Sequence, residues 1–173
     1  MLTGRLRAGQ GAEHGLWSAE CEMIGAFTQG HGREDACDML RSLVELQVDR
    51  KRFRAVVTVI GEEADSTVRV LVDANDPVAL AAAVLRYQRQ VHGLTIAQVA
   101  KKLGSTNHNS YAAYERAERE PSMSKYRELL HAIAPELRFT IGGELEHKPR
   151  GRSLRAKSGS KRSSKSPTKR RAS

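Results

Sequence analysis

LGSTNHNSYAAYERAEREP, residues 103–121, sets four polar side chains, Asn107, His108, Asn109 and Ser110, directly before a helix-forming run. Gly104 ends the segment ahead of it, and Pro121 ends the run itself. Tyr111 and Tyr114 stand three apart, the spacing of neighbours on one helix face, so both are expected to point inward. The polar quartet is then left exposed at the helix start. Asn is a preferred N-cap, so capping alone is one explanation of the pattern.

The flanking segments supply a second explanation. LTIAQVAKKLG (94–104) opens with Thr95 and has Gln98 three residues later, the spacing of a capping box. Ile96, Val99, Ala100 and Leu103 give it one apolar face. NDPVALAAAVLRYQRQVHG (75–93) has Asp76 as N-cap, Pro77 at the first helical position and Gly93 past the end. SMSKYRELLHAIAP (122–135) starts at Ser122 and presents Tyr126, Leu129, Leu130 and Ile133 on one face. Four short helices with tight turns predict a compact bundle over 75–134, with a candidate further strand within 135–146.

Two short one-faced helices joined by a glycine-containing turn are the sequence image of a helix-turn-helix. In that unit the second helix enters the major groove, and its first residues meet base edges. Asn pairs with adenine N6 and N7, and Ser and His donate or accept. On this reading Asn107, His108, Asn109 and Ser110 read bases. Thr95, Gln98, Lys101, Lys102, Arg116 and Arg119 hold phosphates. Glu115, Glu118 and Glu120 oppose those cations.

The first third reads as strands and a helix. TGRLRAG alternates weakly, and GLWSAECEMIGAFTQG (15–30) suits two short strands joined near Gly25. REDACDMLRSLVELQVDR (33–50) switches to helical period, with Ala36, Leu40, Leu43 and Val44 on one face. Glu34 and Asp35 sit in its first turn, where the helix dipole favours acids, and Arg50, Lys51 and Arg52 close it. FRAVVTVIGEE and STVRVLVDA alternate around a polar connector, a hairpin signature. The prediction is an α+β chain: a small ββ(β)αββ domain over 1–74, then the all-α bundle.

The chain carries 29 Lys+Arg against 20 Asp+Glu, a net charge of +9. From His147 to Ser173 there are 11 basic residues and no acid, so residues 1–146 hold 18 basic and 20 acidic residues. The excess charge belongs to a Ser/Lys/Arg-rich segment with almost no apolar residues, expected to be a disordered tail that either solubilises or touches polyanions. No apolar run approaches the ~18 residues of a membrane span, and the N-terminus lacks a signal-peptide core, so a cytoplasmic protein is expected. Cys21 and Cys37 form no CxxC pair and have no matching His spacing; reduced thiols are expected, with a single disulfide as the alternative. Glu20, Glu22, Glu34, Asp35, Asp38 and Asp73 do not compose a metal cluster, and no phosphate-cradling loop occurs, so neither an enzyme nor a cofactor or metal is expected.

Residues 92–133 resemble a helix-turn-helix of the lambda-repressor/Xre class, and NSYAAYERAEREPS resembles the version attached to HicB-type antitoxins. GLWSAECEMIGAFTQGHGREDACDML is similar to the same family through Gly25, Phe27, Thr28, Gln29 and Gly30, then Glu34 and Ala36. The resemblance implies a partial RNase H-like N-terminal fold that neutralises a HicA-like ribonuclease toxin. It also implies a C-terminal part that binds operator double-stranded DNA as a homodimer or higher oligomer, repressing its own operon and associating with the nucleoid. On that implication Trp17, Glu20, Glu22 and Phe27, with Glu13 and Glu34, would meet the basic toxin; alternatively Trp17 and Phe27 are plain core. The chain departs from the family in three places: CEMIG replaces a proline-containing segment, Ile96 stands where Gln follows the helix-opening Thr, and Ala117 stands where glycine ends the recognition helix. Stand-alone regulation without a toxin is the competing reading.

Overall fold

The computed structural model describes residues 1–9, 15–63 and 65–137. Five strands come first in the chain: β1 (Leu2–Ala8), β2 (Leu16–Cys21), β3 (Ala26–His31), β4 (Ala55–Glu62) and β5 (Val68–Ala74). Helix α1 (Arg33–Val48) lies between β3 and β4, so the order is βββαββ, with the third strand that the expected ββ(β)αββ pattern left open present. Four helices follow: α2 (Pro77–Val91), α3 (Ile96–Lys102), α4 (His108–Glu115) and α5 (Met123–Ile133). The fold is therefore mixed α+β, a five-stranded sheet followed by helices.

The strands run antiparallel in the order β3-β2-β1-β5-β4. Because side chains alternate across a strand, one face collects Leu6, Ala19, Val68, Val70 and Val72, all buried. Ala36, Leu40, Val44 and Val48 of α1 are buried with them, one helical stripe laid on the sheet. The opposite face, with Arg5, Arg7, Ser18, Phe27, Gln29 and Arg69, is exposed. Helix α1 stops at Asp49, whose φ of 51° is left-handed, so Arg50, Lys51 and Arg52 lie past its end rather than in its last turn.

Two glycines of the GAFTQG stretch have steric reasons. Gly25 follows a 3-10 turn (Glu22–Ile24) at φ +67°, and a Cβ there would lie 2.1 Å from the Tyr87 ring. Gly30 brings β3 against the start of α1, where a Cβ would lie 2.4 Å from the Ala36 backbone nitrogen. Glu22 therefore begins that 3-10 turn and does not continue the strand beside Glu20 as its spacing suggested.

Helix α2 joins the sheet to the other helices. Its run of alanines lets neighbours approach closely, and Ala79, Leu80, Ala82, Ala83, Val84, Leu85 and Gln88 are all buried. Gln88 Nε2 donates to the Met23 carbonyl at 3.0 Å, and Arg86 Nη2 donates to the Gln47 carbonyl at 2.7 Å. The described residues fall within one compact unit, Met1–Phe139. Cys21 and Cys37 are free thiols, and burial pushes the Cys21 thiol up to about 11. Of the candidate strand over 135–146, residues 135–137 are turn and coil; the rest lies outside the described residues, as do the 147–173 tail and Glu13. Among the described residues no helix is long and apolar enough to cross a membrane.

Because the obstacle at Gly30 is backbone and not a flexible side chain, Gly30→Ala should destabilise the fold by about 1–3 kcal/mol, read from urea melts. A change within about 0.5 kcal/mol would show that the β3–α1 approach is looser than described.

Candidate nucleic-acid interface

The interface is built on α3, α4 and the turn between them. Thr95 caps α3 by accepting from Gln98 N–H at 3.2 Å, and Gln98 Oε1 accepts from Thr95 N–H at 2.7 Å, the reciprocal capping box expected from the spacing. Val99 and Ala100 are buried, Ile96 and Leu103 partly so, and Lys101 and Lys102 project to solvent in the last turn. Gly104, at φ +73°, reverses the chain.

Asn107 opens α4 as its cap: its Oδ1 accepts from Asn109 N–H at 2.9 Å. Ser110 turns its hydroxyl back onto the Asn107 carbonyl at 2.7 Å and lies 3.1 Å from the Ser105 hydroxyl. Asn107 and Ser110 therefore shape the turn. His108 and Asn109 are exposed beside them, and among the described residues neither side chain has a hydrogen-bond partner. Capping and turn formation thus account for Asn107 and Ser110 and leave His108 and Asn109 exposed.

Tyr111 and Tyr114 point inward as their spacing predicted, at 1% and 7% exposure. What the spacing did not reveal is Glu115. It is buried, and it receives a fork of hydrogen bonds from Arg89 of α2, Nε to Oε1 at 2.6 Å and Nη2 to Oε2 at 3.0 Å. The Tyr111 hydroxyl donates to the same carboxylate, and Arg89 Nη1 donates to the Leu94 carbonyl at 2.9 Å. One guanidinium thus ties the end of α2, the turn into α3 and the end of α4. Burial first, then the hydrogen bond to Glu115, pushes the Tyr111 hydroxyl well above its ordinary value; the Glu115 hydrogen bonds raise Arg89. Glu115 consequently does not oppose the surface cations, in contrast to its reading as a solvated acid. The Tyr111–Glu115 spacing of four, and an arginine in the last turn of a largely apolar helix, were the available signals.

The remaining cations differ in availability. Arg116 forms a fork to the Glu118 carboxylate at 2.7 and 2.8 Å, which raises Arg116 and lowers Glu118. Its carbonyl accepts from Arg50 Nη2 at 2.5 Å. Arg119 lies 5.4 Å over the Tyr114 ring, a cation–π contact. Ala117 holds φ 51°, the left-handed position that favours glycine at a helix end.

With this geometry in place, residues 85–134 match a helix-turn-helix family model. The match spans α3, α4 and α5 and the second half of α2. The helical part is a helix-turn-helix. That is the DNA-binding unit of transcription regulators, and it takes in Arg89, Tyr111 and Glu115 together with the exposed start of α4. No curated protein matches the chain.

Of the described residues expected to meet a protein partner, Trp17, Glu20 and Phe27 lie on the sheet, though not on one face, Glu22 opens the 3-10 turn after β2, and Glu34 lies in the first turn of α1. Glu20 and Phe27 are paired across β2 and β3 on the exposed face, and Glu22 follows at the end of β2. Arg5 reaches both acids, at 3.9 Å from Glu20 and 3.6 Å from Glu22, and Arg7 reaches Glu20 at 3.8 Å. Phe27 is 59% exposed and so is not core. Trp17 stands on the other face, opposite Gly30, and packs partly into the core.

Arg89→Met leaves a carboxylate buried without its cation, and should cost about 3–5 kcal/mol in urea melts. Adding Glu115→Met should recover part of that loss; a single-variant effect within about 0.5 kcal/mol would show the pair to be a surface contact. His92, at the end of α2, donates to the Gln88 carbonyl at 2.7 Å and to Glu136 at 2.6 Å, and both bonds, the first above all, raise its pKa. Folded His92 therefore holds its proton more tightly than the unfolded chain does. Its contribution is full below the ordinary value of 6.5 and lost as pH rises through the higher folded value. The difference in melting temperature between the parent and His92→Gln should be larger at about pH 5.5 than at about pH 8.5. A difference that grows with pH would reverse the assignment.

Proposed function

We propose that this chain is the antitoxin and autorepressor of a toxin–antitoxin pair of the HicA/HicB kind. The helix-turn-helix binds an operator upstream of its own reading frame, and the sheet domain binds and neutralises a small mRNA-cleaving toxin. The chain itself is not an enzyme, uses no cofactor, and acts in the cytoplasm and on the nucleoid as a homodimer or higher oligomer. The observation that carries the reading is Phe27, an aromatic residue of the GAFTQG stretch held 59% exposed beside Glu20 in the same compact unit as the helix-turn-helix. A buried core has no use for a ring in that position, whereas a partner with a basic, partly apolar surface does.

On DNA, the exposed Asn109 and His108 are placed at the helix start, where base edges are met. Asn107 and Ser110 keep the turn that presents them. Thr95, Gln98, Lys101, Lys102 and Arg119 flank this edge as phosphate contacts, and Arg116 joins them only by loosening its fork to Glu118. A regulator without a toxin would use the same helices but leave the Phe27 face without a role.

Asn109→Ala should weaken binding to the chain's own upstream DNA by about 1–3 kcal/mol and leave scrambled DNA nearly unaffected, both with the full chain and with residues 1–146. Equal losses on both DNAs would remove the base-reading role. Phe27→Glu should abolish rescue of growth when co-expressed with the product of an adjacent short reading frame, while operator binding persists. Rescue by this variant as full as by the parent would leave the stand-alone regulator as the better account.

A further inference from the structure

The connection from α1 to β4, DRKRFR (49–54), carries four cations against one acid. It is a fixed turn. The Phe53 N–H donates to the Arg50 carbonyl at 2.9 Å, which sets Lys51 and Arg52 at the two corners. Phe53 is buried and anchors the turn in the core. Asn75, just ahead of α2, clamps it from the other side: its Nδ2 donates to the Arg52 carbonyl and its Oδ1 accepts from the Arg54 N–H, both at 2.8 Å.

The turn is also tied to the second helix of the helix-turn-helix. Arg50 donates to the carbonyl of Arg116, the residue that closes α4, and its Nη1 lies 3.5 Å from Asp76. The acids on this side are engaged: Asp76 with Arg50 and as the cap of α2, Glu118 with Arg116. Lys51 and Arg52 are exposed, and among the described residues neither side chain has a hydrogen-bond or ion-pair partner.

We infer that Lys51 and Arg52 bind DNA phosphates, so that the sheet domain carries part of the DNA interface. The inference rests on the helix-turn-helix docking in the major groove. At about 1.5 Å per residue the eight residues of α4 span about 12 Å, close to the width of that groove. With the start of α4 among base edges, its end reaches the sugar–phosphate rim, and Arg50 holds the basic turn against that end. Arg116 and Arg119 follow α4 directly, so positive charge continues from the helices into the sheet domain. A phosphate contact needs a positioned cation and carries no sequence information. A clamped turn supplies that position in advance, which lowers the ordering cost of binding. Both residues lie outside the 85–134 match, in a domain that the family model does not cover.

The test measures binding of the full chain to a duplex of its own upstream DNA and to a scrambled duplex across a salt series, with circular dichroism to verify folding. Lys51→Gln combined with Arg52→Gln should lower the slope of log K against log salt by about 1.8, on both duplexes alike, because two phosphate contacts are lost. At about 0.1 M salt the affinity should fall roughly tenfold or more. Arg7→Gln combined with Arg41→Gln removes the same charge from the exposed sheet face and from α1, and should keep the slope within about 0.3 of the parent. A slope unchanged in the Lys51 and Arg52 variant, or lowered equally in the Arg7 and Arg41 variant, overturns the inference and leaves the helix-turn-helix reading standing. A parent chain that binds neither duplex removes that reading, and this inference with it.

Discussion

The helix-turn-helix depends on one buried charge pair. Arg89 and Glu115 are taken out of water together, and neither is tolerable there alone. The guanidinium meets the carboxylate with two parallel bonds and spends a further donor on the Leu94 carbonyl, while the second helix contributes the Tyr111 hydroxyl. These bonds are directional, which apolar contacts are not. Val99, Leu129 and Ile133 supply burial, but the fork of Arg89 sets where the end of α4 lies against α2. The exposed start of α4 is placed by that geometry and by the Asn107 and Ser110 turn.

The same helix faces in two directions. One side of α2 receives the charge pair and the packing of α4 and α5; the other contacts the 3-10 turn at Glu22–Ile24 through Gln88 and Tyr87. A change on the sheet that moved α2 would therefore reach the helix-turn-helix through packed groups, with no flexible linker between. Positioning by α2 accounts for the glycine at position 25, where the Tyr87 ring approaches the backbone, as α1 accounts for the one at position 30.

Most elements were legible because their signals are local. Asp76, Thr95, Asn107 and Ser122 each accept from a backbone N–H of the helix they open, and the periodicities placed Val68, Val70, Val72, Leu40 and Tyr111 in the core. Glu115 was misread as a surface acid because its partner is 26 residues away, and nothing in a run of charges tells a solvated carboxylate from a forked one. Glu22 was misread as strand because alternation continues through the residues of the 3-10 turn. Phe27 could not be assigned to core or surface, since an aromatic residue in a short strand carries no mark of which side of the sheet is covered.

By itself the sequence determined the order of elements, their caps and the presence of a helix-turn-helix, since each follows from contacts within a few residues. The tertiary structure decided which of the polar quartet shape the turn and which stay exposed, and that Arg116 is occupied by Glu118 while Lys101 and Lys102 project to solvent. It also decided that β4 and not β5 lies at the sheet edge, with β5 inserted beside β1. A hairpin's alternation is the same in either order. Only the packing of α1 across the sheet and the return of the chain into α2 distinguish the covered strand from the open one.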